Sequence, residues 1–251
     1  MDALLMCGGR GTRLGGDAEK PLVTVAGRPM VGRALAALAE SRIERVHAVV
    51  SPHATATRSH LAERTAARGD SDTDLRIVDA PGDGYVSDLR YALGVGDAAD
   101  AETAADAETA ADPPVLTVAA DLPLLDGEAV DHVLDAAESA ASPSLTVCVP
   151  AARKRDLGVS ADGPFEVEGR AVIPAGINVV GGVRGVAGDG ADAPDASETD
   201  VAPDDSADAP GDESLDDEIY LTDDRRLAVN VNYPSDVRIA EALLAEEPTT
   251  R

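Results

Sequence analysis

Ala3-Leu4-Leu5-Met6-Cys7-Gly8-Gly9-Arg10-Gly11-Thr12-Arg13 sets a short apolar run directly before three glycines and two arginines. An apolar run of strand length that empties into a glycine-rich basic loop is the opening of a strand–loop unit in an α/β sheet, and open sheets of this class bind ligands at the carboxyl ends of their strands. Gly8, Gly9 and Gly11 permit backbone conformations that aim successive N–H groups inward, and they let phosphate oxygens approach with no Cβ in the way. Arg13 suits bidentate contact with phosphate. Lys20, in Lys20-Pro21-Leu22, suits a point contact. With Thr12 in the same turn, the segment reads as a triphosphate cradle. Two rival phosphate motifs fit worse. A dinucleotide fingerprint running through Gly9 and Gly11 needs glycine where Leu14 stands, and a P-loop needs Gly-Lys-Ser or Gly-Lys-Thr where Gly16-Asp17 stands. The plain alternative is an ordinary glycine turn after the first strand.

Working outward, short β-branched or apolar runs at residues 3–6, 45–50, 75–78, 115–119, 145–149, 177–180 and 227–231 read as strands. Between and after them, residues 30–41, 54–68, 87–94, 127–141 and 234–245 carry Ala and Leu at helical spacing. Such alternation predicts an α/β protein: one Rossmann-like domain with a mainly parallel, mixed sheet flanked by helices. The chain has 251 residues and 44% hydrophobic content but only four Tyr and one Phe as aromatics, so its core must be aliphatic. Cys7 and Cys148 lie in apolar runs without metal-ligand spacing and read as small buried hydrophobes.

The formal net charge is −26, and it is unevenly placed. Residues 97–112 hold six acids and residues 186–218 hold thirteen, with no Lys or Arg in either stretch. The remainder of the chain carries twenty-eight acids against twenty-one bases. The two stretches therefore read as low-complexity acidic insertions in a nearly ordinary body. The first contains a direct repeat, Asp-Ala-Glu-Thr-Ala-Ala, at 100–105 and 106–111, and reads as either an acidic helix extension or a disordered loop. The second, rich in Gly, Pro, Asp and Ser, reads as a long disordered loop. A negative field of this size argues against nucleic-acid or membrane-surface partners. Abundant Asp and Glu with scarce Lys also resembles the proteins of salt-loving archaea. Neither a signal peptide nor a long apolar span stands out, so a soluble, cytoplasmic protein is expected.

The loop followed by Lys20-Pro21-Leu22-Val23-Thr24-Val25-Ala26-Gly27-Arg28-Pro29-Met30, with Asp121 at the end of an apolar run and Asn230-Val231-Asn232-Tyr233-Pro234 near the C-terminus, resembles the MobA-like nucleotidyltransferases. Within that superfamily, Val50-Ser51-Pro52, Gly82-Asp83-Gly84-Tyr85-Val86-Ser87-Asp88-Leu89 and Ile173-Pro174-Ala175-Gly176-Ile177-Asn178-Val179-Val180 are most similar to the archaeal adenosylcobinamide-phosphate guanylyltransferases. The resemblance implies transfer of GMP from GTP to a phosphorylated corrinoid acceptor. It places Ser51, Gly84 and Asn178 on the nucleotide side with the loop, and makes Asn232 a second ligand or ligand-orienting group beside Asp121. A homodimer stays open.

Read from the residues, Asp121 at a strand end suits Mg²⁺, with Mn²⁺ as the alternative metal; capping of the next segment is the competing role. Asn232 competes with a capping role at the following helix, and Asn230 is an alternative to it. Ser51 and Gly84 have plain turn roles as alternatives, and Asn178 a strand-edge one. An ionised phosphomonoester acceptor needs no general base. His47, His53, His60 and His132 fall in no motif, so they are read as structural or surface residues. The expected catalytic set is Arg13, Lys20 and Asp121. Other readings are a different nucleotidyltransferase (molybdopterin guanylyltransferase or a sugar-phosphate enzyme), a non-catalytic nucleotide-binding protein on the same fold, and an acidic interaction protein.

Overall fold

A computed structural model describes residues 1–16, 18–66, 74–94, 114–181 and 218–246. Both acidic insertions lie outside these residues, apart from Glu218, which opens a strand. The sheet strands are β1 (Asp2–Met6), β4 (Arg45–Val50), β5 (Asp74–Asp79), β6 (Val115–Ala119), β7 (Leu145–Pro150), β8 (Phe165–Val167), β9 (Arg170–Val180) and β10 (Glu218–Leu221). A two-stranded ribbon, β2 (Thr24–Val25) with β3 (Arg28–Pro29), follows the loop. The helices are α1 (Met30–Ala39), α2 (Thr55–Ala66), α3 (Tyr85–Ala92), α4 (Gly127–Ser139), α5 (Ala151–Leu157), α6 (Arg225–Ala228) and α7 (Pro234–Glu246).

The sheet runs β10-β7-β9-β6-β1-β4-β5, with β8 paired to β9. β5, β4, β1 and β6 are mutually parallel, and β9 inserts antiparallel between β6 and β7, so the expected mainly parallel, mixed sheet is present. Alternation along β1 divides the core. Ala3, Leu5 and Cys7 pack with Val31, Leu35 and Leu38 of α1 and Val130, Val133 and Leu134 of α4, whereas Leu4 and Met6 pack with Val78, Leu89 and Ala92 on the other face. Helices thus cover both faces, which is why β1 reads as continuously apolar. Cys7 and Cys148 are buried free thiols, pushed up by burial to about 12 and about 11 respectively.

Topology positions the site. The chain leaves β1 for β4 and β5 on one side and returns with β6 on the other, so β1 is the switch point of the sheet. Met6 is in register with both Val49 and Ala119, which brings the ends of three strands to one level. The segments that follow them, beginning at Cys7, Ser51 and Ala120, therefore open onto a common crevice.

Several elements differ from those expected from the sequence. Residues 227–231 are not a strand: Asp224 accepts a hydrogen bond from the Arg226 N–H (2.8 Å) and starts the short α6, after which Val229, Asn230 and Val231 form a buried connection with Val231 N–H bonded to Asp121 O (3.0 Å). Apolar content reports burial, and here the burial is that of a helix turn and a coil. β9 spans eleven residues where a four-residue strand is expected, and its pairing with β7 shifts register between Thr146 and Cys148, opposite the stretch that holds Gly176. α5 and β10 were not anticipated.

Candidate functional site

The loop after β1 winds around Lys20. Gly11 has a positive φ of 66°, open to glycine at little cost, and a Cβ there would lie 3.1 Å from Lys20 Cβ. A Cβ on Gly9 would meet Lys20 Cδ at 3.2 Å, and one on Gly8 would meet Ser51 Oγ at 2.3 Å. The glycines are therefore close-contact residues. Glu19 anchors the base of this arrangement. Its carboxylate accepts from the Ala56 and Thr57 N–H groups (2.9 and 2.7 Å) and from the Thr57 hydroxyl (2.6 Å) at the start of α2. Burial works to raise the Glu19 pKa, but the Thr57 hydroxyl, the two amides and His53 outweigh it and hold the group below its ordinary value.

Lys20 is where separate parts of the chain meet. Its Nζ donates to Asp121 Oδ2 at 2.6 Å and to Asn232 Oδ1 at 2.8 Å, with the Lys20 and Asp121 side chains 17% and 16% exposed. Asn232 does not spend its side chain on capping. That role falls to buried Asp236, which accepts from the Asn232 and Tyr233 N–H groups (both 2.9 Å) in the manner of a capping box and also from the Ser160 N–H and hydroxyl. Asp236 therefore fixes the turn that presents Asn232.

Behind Asp121 lies a layer that the sequence reading did not identify. Asn230 Nδ2 donates to Ala175 O at 3.0 Å and to Asp121 Oδ1 at 3.4 Å, while Lys154 Nζ donates to Asn230 Oδ1 at 2.7 Å and to Ala228 O at 2.9 Å. Burial pushes the Lys154 pKa down, opposed by the negative charges of Asp121 and Asp236. Asn230 uses its oxygen on Lys154, which removes it as an alternative to Asn232.

A cleft of about 370 Å³ opens on this constellation, lined at one end by Lys20 and Asp121 and at the other by Ser51, Gly82, Gly84 and Asp88. Buried Asp88 accepts from Ser51 Oγ (2.7 Å) and from Gly82 N–H (2.7 Å), so it fixes the shape of that end. Gly84, with φ 114°, starts α3. Tyr85 follows it at the cleft wall, half-exposed. Burial of its hydroxyl end raises its pKa, with a hydrogen bond to Thr117 acting against and Asp121 adding to the rise.

Of the residues singled out from sequence, Gly8, Gly9, Lys20, Ser51, Gly84 and Asp121 line the cleft, and Asn232 reaches it through Lys20. Gly11 packs on Lys20 from outside, and Thr12 is exposed. Arg13 stands apart, 63% exposed and 3.5 Å from Asp162, which also accepts from the Tyr233 hydroxyl; Arg10 lines the cleft instead. Asn178 is turned into the sheet, where its Oδ1 accepts from Val147 N–H (3.1 Å) at the irregularity between Thr146 and Cys148. It performs the strand role weighed against its nucleotide role. His53, read as structural or surface, lines the cleft with Nε2 donating to Gly8 O at 2.8 Å. Its position two residues after Ser51 was the available signal.

Asp121 Oδ2 and Asn232 Oδ1 converge on one cation, the Lys20 ammonium, and both are hard oxygen donors of the kind Mg²⁺ takes. Among the described residues no three His, Cys, Asp or Glu side chains cluster as a metal cage. The donor set fits a cation completed by phosphate oxygens and water. No helix among those residues is long and apolar enough to cross a membrane.

The family described as the MobA-like NTP transferase domain matches residues 3–177. Adenosylcobinamide-phosphate guanylyltransferase of Methanocaldococcus jannaschii is 25% identical over 252 residues, covering 98% of this chain and 99% of that protein. A hypothetical transferase structure from Thermus thermophilus is 18% identical with a TM-score of 0.45, the alignment covering 72% of this chain and 65% of the other.

Proposed function

The chain belongs to the MobA-like NTP transferase domain family, and from that premise we propose that it transfers GMP from GTP to adenosylcobinamide phosphate, releasing pyrophosphate and forming adenosylcobinamide-GDP. The observation that carries nucleotidyl transfer is the single ammonium of Lys20 shared by Asp121 and Asn232 at the switch point of the sheet. Support for the acceptor comes from the near full-length similarity to an enzyme of that name.

An oxygen of the acceptor phosphate attacks the α-phosphorus, the bond from the α-phosphorus to the α,β-bridging oxygen breaks, and pyrophosphate departs with the electron pair. The acceptor's second pKa is about 6, so it is already largely ionised at neutral pH and no side chain has to take a proton. The protein's task is to hold two anions in line and to neutralise charge. Lys20 neutralises the β- and γ-phosphates, the Gly8 to Gly11 amides cradle them, and the Ser51–Asp88 end receives the nucleoside. Asp121 and Asn232 would hold Mg²⁺, which when bound neutralises charge on the α-phosphate and the leaving pyrophosphate. Arg13 joins the triphosphate by leaving Asp162, at small cost, because an exposed ion pair contributes only about 0–1 kcal/mol.

The test is pyrophosphate release from GTP, adenosylcobinamide phosphate and Mg²⁺ in concentrated salt, with ATP, CTP and UTP as rival donors and molybdopterin and sugar phosphates as rival acceptors. Release that requires both GTP and the corrinoid supports the proposal. Release with another pair keeps the family chemistry and overturns the substrate.

A further inference from the structure

We propose that Lys154 is a positioning residue: acting through Asn230, it holds Asp121 with Oδ1 turned inward and Oδ2 turned to the cleft, in the orientation that receives the divalent cation. The inference rests on the reading of Asp121 as a cation ligand and extends it to a residue that lies outside the cleft.

Lys154 is 2% exposed, and a lysine buried to that degree forfeits its hydration, so its retention needs compensating partners. Those partners are two oxygens, Ala228 O and Asn230 Oδ1. The chemistry of the contacts then decides how Asn230 sits. An amide side chain can turn over and exchange its oxygen for its nitrogen, but an ammonium only donates, while a backbone carbonyl and a carboxylate only accept. With Lys154 on one side and Ala175 O and Asp121 on the other, a single orientation satisfies all three groups, with Oδ1 to Lys154 and Nδ2 to Ala175 O and Asp121 Oδ1. Remove the ammonium and Asn230 Oδ1 loses its donor, so that the amide is held from the Asp121 side alone.

Gly176 supplies an independent observation. With φ 83°, it lies where a Cβ would stand 3.1 Å from Asn230 Nδ2 and 3.3 Å from Ala119 Cβ, so β9 leaves open the space in which Asn230 reaches Asp121. The route thus runs from α5 through the segment after α6 to the end of β6. Lys20 holds Asp121 Oδ2 from the cleft side. When Lys20 turns to phosphate, the contact with Asn230 on Oδ1 is the side-chain hydrogen bond that still orients the carboxylate.

The experiment titrates Mn²⁺ into the full chain loaded with α,β-methylene-GTP, reading free Mn²⁺ by electron paramagnetic resonance, with thermal unfolding measured on the same samples. Lys154→Met is expected to weaken Mn²⁺ binding about tenfold, the lower end of what loss of a partner behind a metal ligand costs. The double variant Lys154→Met/Asn230→Leu replaces both partners by apolar groups and is expected to recover much of the lost Tm without recovering Mn²⁺ affinity. Wild-type affinity in Lys154→Met, or affinity that returns with Tm in the double variant, overturns the proposal by making Lys154 merely structural. Should the single variant fail to fold, the double variant alone decides on the same criterion. Asp121→Ala is the control: if it binds Mn²⁺ as wild type does, the cation reading itself falls, and that outcome is distinct from a failure of Lys154 alone.

Discussion

Lys20 and Asp121, 101 residues apart in sequence, form a 2.6 Å ion pair at the carboxyl ends of β1 and β6, and the same ammonium holds Asn232 from beyond the last sheet strand. One charge thus joins the three segments that the proposed chemistry needs. Because the ammonium stands between two oxygen donors, removing either charged partner leaves its counterpart exposed to the cleft rather than sealed in the core.

Lys20→Ala and Asp121→Ala should each lower turnover by about 10²- to 10³-fold, the usual effect of removing one preorganised charge-stabilising group. Both should keep a cooperative unfolding transition. Steady-state pyrophosphate release and thermal unfolding check this pair of statements, and a variant of near-normal rate would count against the assignment.

Gly8→Ala places a Cβ 2.3 Å from Ser51 Oγ and 3.3 Å from Asp88 Oδ2, so the Ser51–Asp88 hydrogen bond must give way. The expected result is a KM for GTP raised more than tenfold. Ser51→Ala should be milder, because it removes the same bond without crowding the loop.

Arg10 and Arg13 are separable. Arg10→Ala should raise KM for GTP, since Arg10 lines the cleft already. Asp162→Ala, which frees Arg13, should lower KM or leave it unchanged, given the small contribution of an exposed pair. A raised KM in Asp162→Ala would show that the Arg13–Asp162 contact itself supports binding.

Glu19 links stability to pH. Its folded-state pKa lies below its ordinary value, so its contribution is fully present above about pH 5 and is lost as pH falls through the lowered folded value. Glu19→Gln should therefore destabilise the protein at neutral pH by about 0.5–2 kcal/mol, the range for loss of a helix-capping group. The difference from wild type should shrink towards pH 3. Urea unfolding at several pH values measures it.

Asp236→Ala removes a buried carboxylate that receives four hydrogen bonds and should cost about 3 kcal/mol or more. It should also lower turnover, because the turn that carries Asn232 depends on it. Asp236→Asn should recover part of both.

The strand ending at Met6, the glycine loop, Lys20 and Asp121 were legible in the amino-acid sequence because each is a local signal: an apolar run, a glycine spacing, a base or acid beside it. Periodicity likewise determined five helices and the strands that surround β1, since burial on both faces leaves unbroken apolar runs. Only the tertiary structure decided the partners. Nothing local in Lys154 marks a buried lysine, and nothing local in Asn178 distinguishes a ligand contact from the Val147 N–H it serves. Asn230 and Asn232 are two residues apart, yet one meets Lys154 and the other Lys20, with Val231 between them fastened to Asp121 O. Composition and spacing can specify which groups a chain owns; which lone pair meets which proton is settled by contacts between residues a hundred positions apart.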